Sequence, residues 1–244
     1  MSDLRRAALA LVVAATGLAA PPDPAALLKR AERLRAAFGE GVVTIRATIS
    51  GAASGAPDPP PVRLEVAVKG RRSRLKFLDP SDAGKFVLRS GGETWLLLPR
   101  AKNPIRVPAS YRVRGGLSAA EVAEAGFSED YDVLFEREDE FAGLRCAVLR
   151  LMARKGISVP YPVVRVWIDE KEGLYRKAVF LLASGRTAKE ATFDSYGMDR
   201  QALVLRRMTI VDTLRPGTTV IEYLDWTKQP VPERWLDLAT ARGE

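Results

Sequence analysis

The stretch Trp95–Asp132 reads WLLLPRAKNPIRVPASYRVRGGLSAAEVAEAGFSEDYD, and the rest of the chain is organised around it. It begins with an apolar strand, Trp95–Leu98, which stops at Pro99. A basic loop, a short helix and an acidic, aromatic segment then lead into the next predicted strand. Two strands held apart by such an insertion predict a sheet with one covered face instead of a simple hairpin.

The helix inside this insertion has explicit start signals. Ser118 and Glu121 form a capping box, in which each side chain satisfies a free backbone N–H group of the other residue. Leu117 and Val122 occupy the positions of a hydrophobic staple. A helix over Ser118–Ala125 is too short to be stable alone, so we expect it to lie against the sheet or across its mouth.

The remainder of the chain predicts an antiparallel meander. A glycine pair, Gly91–Gly92, predicts a tight hairpin turn. Strands do not alternate with helices along the chain, so a parallel sheet is not expected. Runs with strand character follow one another at 43–49, 62–69, 71–78, 85–90, 93–98, 131–136, 144–153, 163–169, 174–183, 188–196, 202–212 and 218–227.

One longer helix precedes this meander, at Pro24–Phe38. Asp23 can cap it, and proline suits its first position. One apolar stripe is formed by Leu27, Ala31, Leu34 and Phe38. This stripe must pack on another element, and the sheet follows directly.

Several strands, including Trp95–Leu98 and Ala178–Leu182, are apolar on both sides. A flat sheet with one wet face does not need that pattern. We therefore predict a mainly β fold with an α lid (α+β), in which a strongly curved antiparallel sheet forms a half-open β-barrel with helices over its concave face. A two-layer β-sandwich core accounts equally well for the periodicity.

Composition excludes several classes of function. The 244 residues are 47% hydrophobic, enough for one sizeable core, and the net charge of +8 suits anionic partners. The chain has no histidine and one cysteine. It can therefore form no Ser-His-Asp or Cys-His catalytic arrangement, no histidine metal site and no internal disulfide.

Residues 1–20 resemble a secretory signal. Arg5 and Arg6 form a positive end, and Ala7–Ala15 form an apolar run that is too short to span a bilayer, which takes ~20 residues. The alternative is an amphipathic N-terminal helix of a cytosolic protein. We predict export to the periplasm, with residues 21–244 forming a single domain that is soluble and carries no lipid anchor.

Several motifs together carry a resemblance to a known family. They are WLLLP at Trp95–Pro99, FSEDY at Phe127–Tyr131, the run Glu190–Asp212 and TTVIEYLDW at Thr218–Trp226. In this order they resemble the LolA/LolB-like superfamily, and most closely its branch of outer membrane lipoprotein-sorting proteins. The resemblance implies a half-open β-barrel, a hydrophobic cavity under helical lids, and carriage of an acyl-chain ligand without catalysis.

An acyl-chain carrier needs an apolar wall and a polar mouth. The candidate wall residues are Trp95, Leu97, Phe127, Val166, Phe180 and Trp226. The candidate contacts for a head group or a partner are Arg100, Lys102, Arg106, Arg112 and Arg114. The alternative for each wall residue is ordinary core packing, and the alternative for the basic residues is a solvated loop.

Little else in the chain indicates chemistry. The carboxylate clusters, such as Glu138–Glu140, fall at predicted turns, and Cys146 lies inside a predicted strand as a small apolar filler. We predict no metal and no cofactor, and export argues against nucleic acid as a partner.

Three functions follow from these observations. The first is a periplasmic carrier of lipoprotein or lipid acyl chains that delivers them toward the outer membrane, with an RND-type membrane exporter or an outer-membrane acceptor as partner. The second is a regulatory module on the same scaffold that senses a lipid or a protein partner. A periplasmic hydrolase is a third class, which no catalytic constellation supports.

Overall fold

The computed structural model describes residues 23–36, 39–51, 57–90, 92–108, 110–115, 117–123, 126–199, 202–215 and 217–241. The predicted signal sequence at 1–20 and the last residues of the predicted first helix, 37–38, lie outside these ranges. Within the described residues, no helix is both long enough and apolar enough to cross a membrane.

Two helices and fifteen strands occur in the described residues. The helices are α1 (Pro24–Ala36) and α2 (Ala119–Ala123), and short 3-10 turns occur at Pro80–Asp82 and Glu233–Trp235. The strands are β1 (Glu40–Ser50), β2 (Val62–Lys69), β3 (Arg72–Phe77), β4 (Phe86–Ser90), β5 (Glu93–Leu97), β6 (Ile105–Val107), β7 (Arg112–Arg114), β8 (Leu117–Ser118), β9 (Tyr131–Phe141), β10 (Leu144–Ala153), β11 (Val163–Asp169), β12 (Tyr175–Leu181), β13 (Thr187–Asp199), β14 (Ala202–Asp212) and β15 (Thr218–Thr227).

Thirteen of these strands form one antiparallel sheet. Its order is β6-β5-β4-β3-β2-β1-β15-β14-β13-β12-β11-β10-β9, so the chain runs outward from β1 to β6 and returns from the other edge. β6 and β9 are the two edge strands, and the sheet does not close on itself. β7 and β8 form a separate two-stranded sheet within the insertion.

The predicted period-two alternation sets which side chains face the core. Ile45 in β1 lies opposite Leu64 in β2, and both side chains are fully buried. Their neighbour Arg46 is exposed on the other face, where it pairs with Glu222 of β15 at 2.8 Å. A shift of register by one residue would exchange these faces, so the apolar pattern fixes the pairing.

The sheet curves strongly enough to bring its distant parts together. Asp130, which directly precedes the edge strand β9, accepts hydrogen bonds from Arg89 of β4 at 2.9 Å and from Arg71. β4 and β9 lie near opposite ends of the strand order. One continuous cluster of buried apolar side chains therefore fills the concave face, and we call it the main cluster.

The C-terminal segment covers part of the convex face. Its residues Val231, Trp235 and Leu236 pack on the outer side of β1–β5 in a second cluster, which we call the outer cluster. Arg74 of β3 is buried beneath them, with its guanidinium 4.2 Å from the centre of the Trp235 ring. Arg74 also donates a hydrogen bond to the carbonyl of Ala241 at 3.1 Å.

Charge pairs hold the edge of the same segment. Glu233 accepts a hydrogen bond from Arg72 at 2.7 Å and pairs with Lys69 at 2.9 Å. The hydrogen bond from Arg72, followed by that from Lys69, lowers the pKa of the Glu233 carboxyl to about 2. These exposed pairs position the segment, while the partly buried Trp235 indole and the buried Leu236 side chain supply most of the stabilisation.

The architecture agrees with the predicted mainly β fold and its open, curved antiparallel sheet. The cover of the concave face differs from the prediction, because α2 is a single short turn and α1 is the one longer helix in the described residues. The insertion contributes short strands and loops instead of helices over most of its described length. We use "the insertion" for residues 108–130, which follow the edge strand β6, and "the cover" for α1 together with the insertion.

Candidate functional site

The concave wall is built from alternate residues of successive strands. Buried members include Leu149 in β10, Val166 in β11, Ala178 in β12 and Ala191 in β13, all 0–1% exposed. Ala178 and Ala191 lie directly opposite each other in the register, which places two small side chains side by side in the middle of the wall. The wall can therefore contact apolar matter over several adjoining strands.

Aromatic rings connect the wall to the cover. Phe127 of the insertion stands edge-on to Tyr131 and Tyr175, with ring centres 5.6 Å and 6.3 Å away. Tyr175 stacks on Phe193 at 5.2 Å. Such pairs contribute about 0.5–1.5 kcal/mol beyond their buried area, so Phe127 is a main contact between insertion and sheet.

Helix α1 lies across the wall with Leu27, Leu28 and Ala31 buried in the main cluster. Glu32 fastens it to the insertion, because its carboxylate accepts hydrogen bonds from the backbone N–H of Ser128 at 2.7 Å and from the Ser128 hydroxyl at 2.6 Å. The same carboxylate also accepts the N–H of Phe127. A carboxylate that receives several donors is a strong attachment point.

Arg30 fastens α1 to the turn between β11 and β12. Its guanidinium donates to the carbonyl of Glu172 at 2.9 Å and packs against Gly173. Gly173 has a φ of 74°, and a Cβ there would lie 2.5 Å from the Arg30 Nε. The turn thus requires glycine for its backbone conformation, and a Cβ at this position would displace the Arg30 side chain.

We expect Gly173→Ala to lower the free energy of unfolding by about 2–3 kcal/mol, because alanine at positive φ costs roughly 1–2 kcal/mol and the Arg30 hydrogen bond is displaced. Gly143→Ala is the matched control, since Gly143 has a φ of 76° in another hairpin with nothing within 4 Å of its Cβ position. Urea denaturation of both variants measures the difference. Equal losses would show that Arg30 contributes nothing to docking the helix.

The capping box predicted in the insertion is present. The Ser118 N–H donates to Glu121 Oε2 at 3.0 Å, and the Glu121 N–H lies 3.4 Å from the Ser118 hydroxyl oxygen. Leu117 and Val122 are buried in the main cluster. The described helical residues Ala119–Ala123 begin one residue later than predicted, and 124–125 lie outside the described residues.

The other oxygen of Glu121 makes a buried ion pair with the wall. Lys189 Nζ lies 2.5 Å from Glu121 Oε1, and the Tyr161 hydroxyl donates to the same oxygen at 2.9 Å. The Glu121 and Lys189 side chains are only 2% and 6% exposed. This contact joins α2 to β13 within otherwise apolar surroundings.

Two further ion pairs restrain the insertion at its rim. Arg112 lies 3.4 Å from the buried carboxylate of Asp212, at the end of β14. Arg114 pairs with Asp82, in the 3-10 turn after β3. The insertion is therefore attached to the sheet at several points by charged groups.

Four of the six predicted wall residues are brought together by the fold. Phe127, Val166 and Phe180 are buried in the main cluster, and Trp226 packs at its border. Trp95 and Leu97 do not join them, because both belong to the outer cluster beneath the C-terminal segment. The strand β5 is apolar on both sides since each of its faces has its own cover.

The five predicted basic contacts are separated in the same way. Arg100 and Lys102 are exposed on the loop after β5, whereas Arg112 and Arg114 hold the insertion through the pairs described above. Arg106 pairs with Glu93 at 2.8 Å and lines a surface cleft of about 300 Å³ beside the edge strand β6. Arg100 and Lys102 are exposed without forming part of these ion pairs, so they are the most available to a partner.

Half-exposed apolar side chains mark one end of the concave face. Met198 of β13 is 63% exposed and lies opposite Leu203 of β14, with Tyr196 and Trp226 partly buried nearby. The Trp226 ring stacks on Tyr223 at 5.6 Å, and its N–H donates to the Leu205 carbonyl at 3.2 Å. An apolar chain leaving the concave face at this end would meet apolar surface.

Cys146 is fully buried on the convex side of the sheet, beside Val148 and Trp167. Burial, followed by the negative charge of Asp169, raises the pKa of its thiol to about 11. The residue therefore fills space, as its position within a strand predicts. No group of three or more histidine, cysteine or carboxylate side chains with the arrangement of a metal site occurs among the described residues.

Several polar side chains of the candidate site make long-range contacts that the sequence does not predict. Glu32, Asp130, Tyr161 and Lys189 each join parts of the chain that are distant in sequence. One signal was available for Lys189, because period-two alternation with Ala191 and Phe193 places it on the inner face of β13. The pairing of that lysine with a glutamate on the cover has no local signature.

Comparisons with known structures give the same fold. A LolA superfamily protein from Nitrosomonas europaea is 24% identical, with a TM-score of 0.80 over 88% of this chain and 97% of that one. A DUF1329 family protein from Desulfovibrio piger is 17% identical, with a TM-score of 0.73 over 88% and 96% of the two chains. A domain from Vibrio parahaemolyticus, named as an outer membrane lipoprotein-sorting protein, is 16% identical, with a TM-score of 0.72 over 90% and 98%.

The sequence comparisons identify a family for this chain, and the description of that family names no function. No curated protein matches the chain. A family model described as an uncharacterized protein matches residues 69–239, which is more than half of the chain. The structural similarity confirms the fold implied by the motifs around Trp95–Asp132. The chain therefore belongs to the family of that model, and it has the fold of the LolA superfamily.

Proposed function

We propose that this protein is a carrier, which binds the acyl chains of a lipoprotein or another lipid on the concave face of its sheet and delivers them toward the outer membrane. One observation carries the proposal. The open sheet has an apolar concave wall, and that wall is covered by a helix and an insertion instead of by a second sheet. A cover of this kind can be displaced without breaking the strand pairing of the wall.

The affinity comes from burial of hydrocarbon. Each Å² of apolar surface removed from water contributes about 25 cal/mol, so even part of an acyl chain gives useful binding energy. Against this gain stands the loss of contacts between wall and cover, such as those of Leu28 and Phe127. Binding without chemistry is all that this mechanism requires, and transfer follows the difference in affinity between donor, carrier and acceptor.

The hydrogen bonds that attach the cover allow it to return to its closed position on the sheet. Glu32 and Arg30 hold α1 through directed hydrogen bonds, which reform in one geometry once the ligand leaves. We propose that the insertion and α1 move apart to admit the chain, with the half-exposed Met198 end as the place where the chain emerges.

We propose that the protein is exported and acts in the periplasm. An RND-type exporter or an outer-membrane acceptor is the proposed partner, and the exposed Arg100 and Lys102 are the proposed contacts. The fold shared with the Vibrio parahaemolyticus lipoprotein-sorting domain supports this assignment.

The test is to purify the full chain from the periplasm and analyse it by native mass spectrometry and lipid extraction. We expect co-purified acyl-chain lipid or lipoprotein. Ala178→Phe, which places a ring on the concave wall, should lower the bound lipid at least about fivefold, because a filled wall excludes the chain. Val179→Phe is the matched control, since Val179 is the next residue of β12 and faces the convex side.

Melting temperatures of both variants show that they are folded. A folded wild-type protein that is empty and does not take up a fluorescent fatty acid would contradict the carrier function. An empty protein that binds the periplasmic domain of a membrane protein would support the sensing function instead.

A further inference from the structure

A lysine inside an apolar wall needs an explanation. Lys189 lies directly opposite Phe180 in the register of β12 and β13, and Phe180 belongs to the main cluster. Opposite residues of an antiparallel pair point to the same face, so Lys189 faces the concave side. A charged group there is costly unless it is paired and hydrogen-bonded.

The group that pairs with it belongs to the cover. Glu121 is carried by α2, a helix of five residues, and its Oε1 receives both Lys189 and the Tyr161 hydroxyl. The Tyr161 ring in turn packs against Phe180, with ring centres 4.9 Å apart. A carboxylate thus sits in a pocket made by an ammonium group, a phenol and an aromatic ring.

Stability alone does not account for this arrangement. Replacing a buried ion pair by apolar residues of similar size is often neutral or stabilising, so such a pair is weak evidence for a structural role. The pair also joins the wall to an element that is too short to be stable by itself. Its position indicates a function in opening and closing the cover.

We propose that Glu121 occupies the binding site of a ligand's anionic head group. This inference rests on the proposed carrier function. When the cover moves, the Glu121 carboxylate leaves Lys189 and Tyr161, and a carboxylate or phosphodiester of the entering amphiphile takes its place. The exchange replaces one charge-assisted hydrogen bond of Lys189 by another, so opening the cover costs no such bond.

A neighbouring carboxylate sets the charge that the site accepts. Asp212 of β14 lies directly opposite Lys189 and is buried, with its Oδ1 receiving the N–H groups of Leu214 and Arg215 at 2.9 Å and 3.0 Å. These backbone donors keep Asp212 in place when the insertion moves. Its negative charge beside Lys189 favours a ligand head with one negative charge over a head with two.

The experiment compares ligands that share one chain but differ in head group. Binding of dodecanoate, dodecanol, dodecanoyl lysophosphatidylglycerol and dodecyl phosphate to the full chain is measured by displacement of a fluorescent fatty-chain probe at mildly alkaline pH. We expect the two singly charged ligands to bind at least about tenfold more tightly than dodecanol, and more tightly than the doubly charged phosphate. The relative affinities of dodecanoate and the lysolipid identify which head group the site prefers.

Variants assign this preference to the pair. Glu121→Gln should tighten the binding of dodecanoate and of dodecanol by similar factors, because neither ligand then has to separate the Glu121–Lys189 pair, and it should keep the preference for dodecanoate. Lys189→Met should abolish the preference for dodecanoate over dodecanol. The double variant E121Q/K189M leaves no buried charge unpaired at this contact and should also bind both ligands equally. It therefore distinguishes a loss of head-group preference from misfolding of the Lys189→Met variant.

Lys177→Met and Glu190→Gln are the matched controls, because these residues form a 2.8 Å ion pair between the same two strands, and Lys177 lies over the ring of Trp167 on the convex side. Neither should change the ratio of affinities. Equal binding of dodecanoate and dodecanol by the wild type would overturn this inference and leave the carrier function standing. Binding of neither ligand by the folded protein would overturn both.

Discussion

Asp130→Ala should lower the free energy of unfolding by about 3 kcal/mol or more. The Asp130 side chain is 8% exposed and holds Arg89, which is itself 15% exposed, together with Arg71. Removing one partner of a largely buried ion pair typically costs about 3–5 kcal/mol. The loss is expected to be large because this contact joins the two distant parts of the curved sheet.

The matched control is Asp132→Ala, two residues further along the chain. Asp132 pairs with Arg154 at 3.0 Å, but its side chain is 66% exposed, and exposed pairs contribute about 0–1 kcal/mol. Equilibrium unfolding of both variants in urea gives the comparison. Similar losses for the two variants would mean that Asp130 does not connect the ends of the sheet.

Phe127→Ala should be about as destabilising, with an expected loss of about 3–5 kcal/mol. The Phe127 ring is 2% exposed and contacts both Tyr131 and Tyr175 edge-on. Its removal leaves a cavity between the insertion and the wall. Thermal and urea unfolding monitored by circular dichroism measure the loss.

Two further variants show whether the loss of stability in Phe127→Ala comes from the contact of its ring with the sheet. Phe127→Leu keeps most of the volume and should cost less than about 1.5 kcal/mol. Phe141→Ala removes a ring that is only partly buried on the convex side of the sheet, and it should cost less than Phe127→Ala. If Phe141→Ala proves the more damaging, the insertion is not held by its aromatic contact with the sheet.

Local signals in the sequence predict most elements of the fold. The predicted helix at Pro24–Phe38 corresponds to α1, and the period-two runs correspond to the long strands. The Ser118–Glu121 capping box was also correctly predicted, since all of its atoms lie within one turn. The short strands β6, β7 and β8 were missed because two or three residues carry no measurable periodicity.

The direction in which each apolar strand face points was harder to predict. Trp95 and Leu97 were expected on the concave wall with Phe180, but they face the C-terminal segment on the other side. Alternation shows only that two faces exist, and when both are covered it cannot distinguish them. Trp235 and Leu236 supply that second cover from the far end of the chain, which no local pattern reveals.

The polar contacts of the site depend on tertiary structure for the same reason. Glu121 is separated from Lys189 by 68 residues, and Glu32 is separated from Ser128 by 96. Each of these side chains alone resembles an ordinary surface residue of a charged protein. Only the curvature of the sheet and the path of the insertion bring them together.

The inertness of the single cysteine makes this protein convenient for spectroscopy. With the Cys146 side chain buried and the pKa of its thiol raised to about 11, only roughly one thiol in a thousand is ionised at mildly alkaline pH. Maleimides and nitroxide reagents should therefore leave Cys146 unmodified while they react with an engineered surface thiol. Spin labels placed in pairs on α1 and on the outer strands could then report distance changes as the helix moves, without replacing the native residue.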